Sequence, residues 1–271
     1  MTQEAWLTAH PYLLSVAEFH AVVEKAAQGL PSALACIPDW SNYASDYLAG
    51  VPLLRSCHSS IDLSLVEASV VALLRNLAAV PLPDKLVQDV QDLQADLRNY
   101  PRASQAFVAC LLDQDSEAPG YFGLFRYLGW KEMARYLSRV VDAFGRWRDE
   151  EHWHRRYCPT CGSPPAMAQL IGIDPGRLRF LSCGCCGTRW QYRRTACPFC
   201  ENEDDHRLNV LMVEGEKELR IDHCESCGGY IKTYNGSGNE SLLLADWTSL
   251  HLDIIAREQG MNRSAASLYE I

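Results

Sequence analysis

Nowhere does this chain contain an uncharged apolar run of the ~20 residues that a membrane-spanning helix requires, so no membrane insertion is expected. The N-terminus, MTQEAWLTAHPYLLSV, has no basic leader, and Glu4, His10 and Pro11 interrupt its apolar residues. A secretory signal is therefore not expected either. Together these absences lead us to expect a soluble, cytoplasmic protein whose thiols are reduced. Positive charge is also scarce, with 25 Lys and Arg against 34 Asp and Glu and a net charge of −9. Dividing the chain at residue 150 leaves 12 basic and 18 acidic residues in front, then 13 and 16 behind. Neither half is a basic nucleic-acid-type domain, and no nucleic acid partner is expected. A Gly-rich phosphate loop, a G-x-S-x-G and an H-E-x-x-H are all missing. We assign no catalytic residue and expect no enzyme.

Cysteine is unevenly spread, with only Cys36, Cys57 and Cys110 before residue 150 and nine of the 12 after it. Those three lack partners at ligand spacing and read as small buried hydrophobes. The early half instead shows helical periodicity. Leu86, Val90, Leu93 and Leu97 share one face, as do Val66, Val70, Leu73 and Leu77. Asp84 is a plausible N-cap, and Ser15 with Glu18 makes a capping-box pattern ahead of Phe19, Val23 and Ala26. Leu137, Val140, Val141 and Phe144 mark a long helix ending near Trp147. Prolines 31, 38, 52, 81, 83 and 101 divide these runs, which predicts a bundle of five or six helices. Trp130, Tyr136 and Trp147 read as core or as a partner surface.

Four Cys-x-x-Cys pairs follow: Cys158/Cys161, Cys183/Cys186, Cys197/Cys200 and Cys224/Cys227. The gaps between successive pairs are 21, ten and 23 residues. Two intervening residues let the backbone turn so that both sulfurs of a pair face one ion, and two such turns complete a four-sulfur shell. Eight thiols thus suffice for two metal sites. Because closing a loop of about 20 residues costs less entropy than interleaving, we pair Cys158, Cys161, Cys183 and Cys186 on one ion and Cys197, Cys200, Cys224 and Cys227 on the other. A cross-braced arrangement is the alternative. Cys185 is supernumerary and reads as an incidental or weakly buried thiol. His152 and His154, in the charged connector DEEHWHRRY at 149 to 157, read as exposed linker histidines.

The metal-binding half looks duplicated. Cys158 to Cys197 and Cys161 to Cys200 are both 39 residues, and Cys183 to Cys224 is 41. Between its pairs each unit shows a hairpin pattern: PAMAQLIGI, the Asp174-Pro175-Gly176 turn and RLRFLSC in one, LNVLMVEG, Gly215-Glu216 and ELRIDHC in the other. A third strand follows each closing pair, carrying Trp190 and Tyr192 or Tyr230, Ile231 and Tyr234. The layout is that of a rubredoxin-like zinc ribbon. Gly162, Gly187 and Gly228 follow three pairs, whereas Glu201 follows Cys200. A glycine there would let the loop turn its N–H groups to the sulfurs, which leaves the Glu201 site less shielded.

CPTCGSPP at 158 to 165, FLSCGCCGTRW at 180 to 190, CPFC at 197 to 200 and HCESCGGYIKTY at 223 to 234 resemble the family of the formate dehydrogenase accessory protein FdhE. LADWTSLHLDIIAREQG at 244 to 260 looks like that family's C-terminal helix, with Trp247, Leu250 and Ile254 on one face and Gly260 as its stop. Cys185 and the tail after Gly260 depart from the pattern. The resemblance implies a multidomain α+β protein: an all-helical domain at 1–150, rubredoxin-like modules at 151–195 and 196–240, and a C-terminal helix and tail at 241–271. It implies two iron or zinc ions and an assembly factor that binds the catalytic subunit of formate dehydrogenase during maturation, with a homodimer left open. The competing readings are a nucleic-acid-binding zinc ribbon, for which Arg177, Arg179, Arg189, Arg193 and Arg194 speak, and an electron carrier.

Overall fold

The computed structural model describes residues 1–30, 34–59, 61–99, 111–112, 122–173 and 175–267. The helices that come first include α1 Gln3–Ala9, α2 Leu14–Ala27, α3 Trp40–Ala49, α4 Ser64–Leu77, α5 Asp84–Asn99 and α6 Phe122–Trp147. Helix α4 is the centre of the bundle, packing on α2, α5 and α6. Val66, Val70, Leu73 and Leu77, its predicted apolar face, are all fully buried. Asp39 caps α3 by accepting a hydrogen bond from the Ser41 N–H at 3.0 Å, and Gly50 at φ 81° ends it. The Ser15–Glu18 capping box does not form. A 3-10 turn at Pro11–Leu13 runs straight into α2 with Leu13 at the cap position, so Ser15 already lies inside the first turn.

Seven strands follow: β1 Pro165–Ile171, β2 Leu178–Cys183, β3 Arg189–Tyr192, β4 Leu208–Leu211, β5 Leu219–Cys224, β6 Gly229–Asn235 and β7 Asn262–Arg263. Each duplicated unit forms the three-stranded antiparallel meander that its pattern predicts. The two meanders are joined. β1 pairs in parallel with β6, from Met167 opposite Lys232 to Leu170 opposite Asn235. The result is one mixed sheet in the order β3-β2-β1-β6-β5-β4, with β7 added in parallel to β6. Asp174 of the predicted first turn lies outside the described residues; the Gly176 N–H donates to the Ile173 carbonyl at 2.8 Å.

The C-terminal part is less regular than one helix. Helix α7 Glu240–Leu243, a 3-10 turn at Asp246–Ser249 and helix α8 Leu250–Glu258 follow one another, and Gly260 at φ 76° closes the run. Trp247 and Leu250 are buried as expected, but Ile254 is 43% exposed. Because Trp247 belongs to the tighter 3-10 turn, the helical phase restarts at Leu250, and Leu252, Asp253 and Ala256 form the inward face.

Two apolar cores hold these layers together. The first runs from α4 and α6 through Trp153 into the first cysteine unit, at Leu181 and Trp190, and on to Ile231 of the second. Trp153, in the charged connector, is fully buried and stacks on Tyr47 with ring centres 5.4 Å apart. The loop before α4 is tied to the same unit by backbone bonds, Leu53 N–H to the Pro159 carbonyl at 2.9 Å and Leu54 N–H to that of Thr160 at 2.8 Å. The second core sets Trp6, Leu13 and Ala17 against Leu219, Ile221, Tyr230, Tyr234 and Leu252. Among the described residues no helix is long and apolar enough to cross a membrane.

Candidate metal centres

Each Cys-x-x-Cys pair sits on a tight turn closed by its own backbone. The N–H of Gly162, Gly187, Glu201 and Gly228 donates back to the carbonyl of the first cysteine, at 2.9, 3.2, 3.1 and 2.8 Å in chain order. All four closing residues have positive φ, at 84°, 74°, 62° and 70°. Glycine adopts this conformation without steric cost, which explains three of the four positions. The glycine N–H groups thus shape the turn. Other N–H groups meet sulfur, among them Thr160 to Cys158, Phe199 to Cys197 and Gly229 to Cys227, each at 3.4 Å.

These turns bring the eight predicted cysteines together in two groups. Cys158, Cys161, Cys183 and Cys186 form one, Cys197, Cys200, Cys224 and Cys227 the other, and in each group all sulfurs lie within 4.8 Å of one another. The pairing is the sequential one. Across the first group Cys158 and Cys186 are 3.5 Å apart and Cys161 and Cys183 are 3.4 Å apart; across the second, Cys197–Cys227 is 3.8 Å and Cys200–Cys224 is 3.7 Å. A tetrahedral ion with metal–sulfur bonds of about 2.3 Å needs sulfur–sulfur edges of about 3.8 Å. Both groups fit, the second without adjustment and the first with a small expansion.

The surroundings differ. All four sulfurs of the first group are buried, whereas Cys200 and Cys227 of the second are exposed. Hydroxyls line the first group: Thr188 Oγ1 is 3.1 Å from Cys186 Sγ, Ser163 Oγ is 3.3 Å from Cys161 Sγ, and Thr160 and Thr188 bond to each other at 2.7 Å. Hydrogen bonds from neighbouring thiols, Cys158 first, hold Cys161 well below the usual thiol range. Cys183 is pushed up by its bonds to Cys158 and Cys161, and Cys186 by burial. A cation filling the shell binds thiolates, so the thiols release their protons as it binds. In the second group burial raises Cys197 and Cys227, while Cys224, although burial opposes it, is lowered by the N–H groups of Cys227 and Ser226.

Other candidates are sorted by burial. Cys185 is fully buried, not weakly so, beside the first group but outside its four sulfurs, and its nearness to Cys161 pushes its thiol well above the usual range. Cys36 and Cys57 are exposed, contrary to the buried reading, because both lie on loops between helices; Cys110 lies outside the described residues. His152 and His154 are exposed and outside both groups, with His152 bonded to Asp149 at 2.9 Å. The arginines do not form an open basic face. Arg179 is buried and donates to the Ala196 carbonyl at 2.9 Å, Arg177 bonds Asn235, Arg189 bonds Gln169, and Arg193 pairs with Glu203.

One buried ionic group was missed by sequence reasoning. Lys232 of β6 meets Asp246 at 2.7 Å and Asp253 at 2.6 Å, and Arg263 of β7 meets the same two carboxylates at 2.7 and 2.6 Å. The tail after Gly260 thereby has a structural role. A lysine in a strand that also carries Tyr230, Ile231 and Tyr234 was the available signal.

Comparison with known proteins agrees with this geometry. Residues 157–194 match the family model described as FdhE, central domain. An FdhE homologue of Aquifex aeolicus is 35% identical over 133 residues, 47% of each chain. One from Pectobacterium carotovorum is 33% identical over 142 residues, 51% of this chain and 43% of the other, and FdhE of Escherichia coli is 30% identical over 141 residues, 50% and 45%. The matched segment thus spans about half of this chain and less than half of each relative. The crystal structure of FdhE from Pseudomonas aeruginosa has the same fold, with a TM-score of 0.64 over 95% of this chain and 88% of that one at 24% identity. The resemblance to the FdhE family is therefore shown, carried by the central domain at residues 157–194 and by relatives over about half the chain.

Proposed function

We propose that the protein is an accessory factor for formate dehydrogenase, binding the catalytic subunit during maturation through a metal-stabilised module in the cytoplasm. The observation that carries this reading is the pair of four-cysteine groups lying in and directly after the FdhE central domain. In it, residues 1–150 are a helical domain, 151–195 and 196–240 are rubredoxin-like modules, and 241–271 is a C-terminal helix and tail. Cys158, Cys161, Cys183 and Cys186 hold one ion, and Cys197, Cys200, Cys224 and Cys227 the other. Zinc there would supply folding energy, on the order of 10 kcal/mol per site, and iron would add one-electron chemistry. The role is non-catalytic, since four thiolates close the shell and leave no open position for a reacting water.

Redox chaperoning is a second reading, favoured by the exposure of Cys200 and Cys227, which puts the second shell within reach of a partner's electrons. Affinity purification from anaerobically grown native cells, with metal analysis and mass spectrometry of one eluate, tests both. Formate dehydrogenase catalytic subunit with about two equivalents of metal is the expected result. Iron with a visible band bleached by dithionite would select the redox form. Recovery of nucleic acid in place of the dehydrogenase would overturn the proposal.

A further inference from the structure

Beyond the eight thiols, three donor groups from distant parts of the chain converge on one point. His10 lies between α1 and α2, Glu216 in the turn between β4 and β5, and His251 in the first turn of α8. His10 Nε2 is 2.7 Å and His251 Nε2 is 2.8 Å from the same oxygen, Glu216 Oε1. The side chains are 12%, 14% and 8% exposed for His10, His251 and Glu216.

His10 Nδ1 is 3.0 Å from the Trp6 carbonyl, an acceptor only, so the ring proton of a neutral His10 belongs on Nδ1. Its Nε2 then turns a lone pair toward the carboxylate oxygen at 2.7 Å. His251 Nε2 comes equally close but without hydrogen-bond alignment, and His251 Nδ1 has no partner among the described residues. Two imidazole nitrogens thus converge on one carboxylate oxygen, an arrangement that a cation shared by the three groups, or a proton on a histidine, would hold.

We propose that His10, Glu216 and His251 form a third metal site, distinct from both cysteine shells, for a divalent transition-metal ion of the zinc class. Two imidazole nitrogens and one carboxylate are the donor set that such ions prefer, and the His10 Nδ1–H bond to a backbone carbonyl is the support that fixes the ring for ligation through Nε2. Bonds of about 2.0–2.1 Å place ligand atoms about 3.3 Å apart, so the cluster must open by about 0.5 Å. Rotation of the Glu216 carboxylate on its turn supplies this. Three protein ligands leave the fourth position to water. The ion would fasten the segment before α2, with Trp6 stacked 3.9 Å from His10, onto the second cysteine unit and α8. The site does not depend on the formate dehydrogenase reading.

The test uses the full chain with both thiolate shells filled, titrated calorimetrically with Zn2+ at neutral pH, and in parallel with Co2+ followed by visible absorption. We expect one further equivalent, whose Co2+ spectrum shows ligand-field bands without sulfur-to-metal charge transfer. H251Q and E216Q should each weaken this equivalent by tenfold or more while leaving the two thiolate equivalents in place. The proposal is overturned if no further equivalent binds, if its Co2+ spectrum shows sulfur ligation, or if H10Q, E216Q and H251Q all bind as the parent does. A parent that binds no further ion but loses stability above neutral pH, with that loss absent in H251Q, would assign the cluster to a protonated histidine clamp instead.

Discussion

At Glu201 the backbone holds φ 62°, the conformation that Gly162, Gly187 and Gly228 adopt at the equivalent place in the other three turns. For a residue with a Cβ this conformation costs about 1–2 kcal/mol, part of which a glycine would return as unfolded-state entropy. Glu201→Gly should therefore raise the stability of the metal-loaded protein by about 1 kcal/mol, read as a shift of the denaturation midpoint without a change of slope. The anomaly was visible in the sequence because the other three turns supplied the rule. The burial of His20 was not, since nothing near it in the chain predicts that Tyr127 will hydrogen-bond its Nδ1 at 2.9 Å. Desolvation, helped by Lys131, lowers His20 to about 4. Between that value and the ordinary 6.5 the unfolded chain binds a proton that the folded one refuses. The stabilisation is thus complete above about pH 6.5 and fades as pH falls toward 4, by up to about 3 kcal/mol. His20→Gln, which cannot titrate, should show a shallower loss in urea unfolding between these pH values than the parent does.

At the scale of the element, local pattern and tertiary context divide the outcomes. The strands were legible because alternation and turn residues fall between fixed cysteine pairs, and all six predicted strands form. The end of the chain was misread at Ile254 because a 3-10 turn resets the helical phase, a change that no periodicity count registers. The two cysteine shells, similar in spacing, differ in burial, with Cys200 and Cys227 exposed and all ligands of the first shell buried. If both are loaded, a chelator should release the second equivalent well before the first. Replacing Cys200 and Cys227 by Ser should remove the fast phase of that release and leave one equivalent of metal bound. Equal release rates would contradict the burial argument.

For the whole molecule, the parallel pairing of β1 with β6 makes one sheet of two repeats, and the ionic group around Lys232 anchors its centre to the C-terminal segment. Lys232 is 1% exposed, so Lys232→Met would leave Asp246 and Asp253 with Arg263 as their remaining partner in that group. The expected cost is about 3–5 kcal/mol in denaturant unfolding, because a buried carboxylate loses its counter-charge. Changing Lys232 and Asp253 together to apolar residues should cost less than the sum of the single changes. The sequence by itself determined the eight sulfurs, their sequential grouping, the strand order within each repeat and the helical first half. All of these follow from contacts between residues near in the chain, or from periodicities that a single element imposes. Only the tertiary structure decided the fusion of the repeats, the burial of Trp153, Cys185 and Lys232, and the meeting of His10 with Glu216 and His251. Those depend on which faces of distant elements exclude water together, a matter of the assembled core that no local spacing encodes.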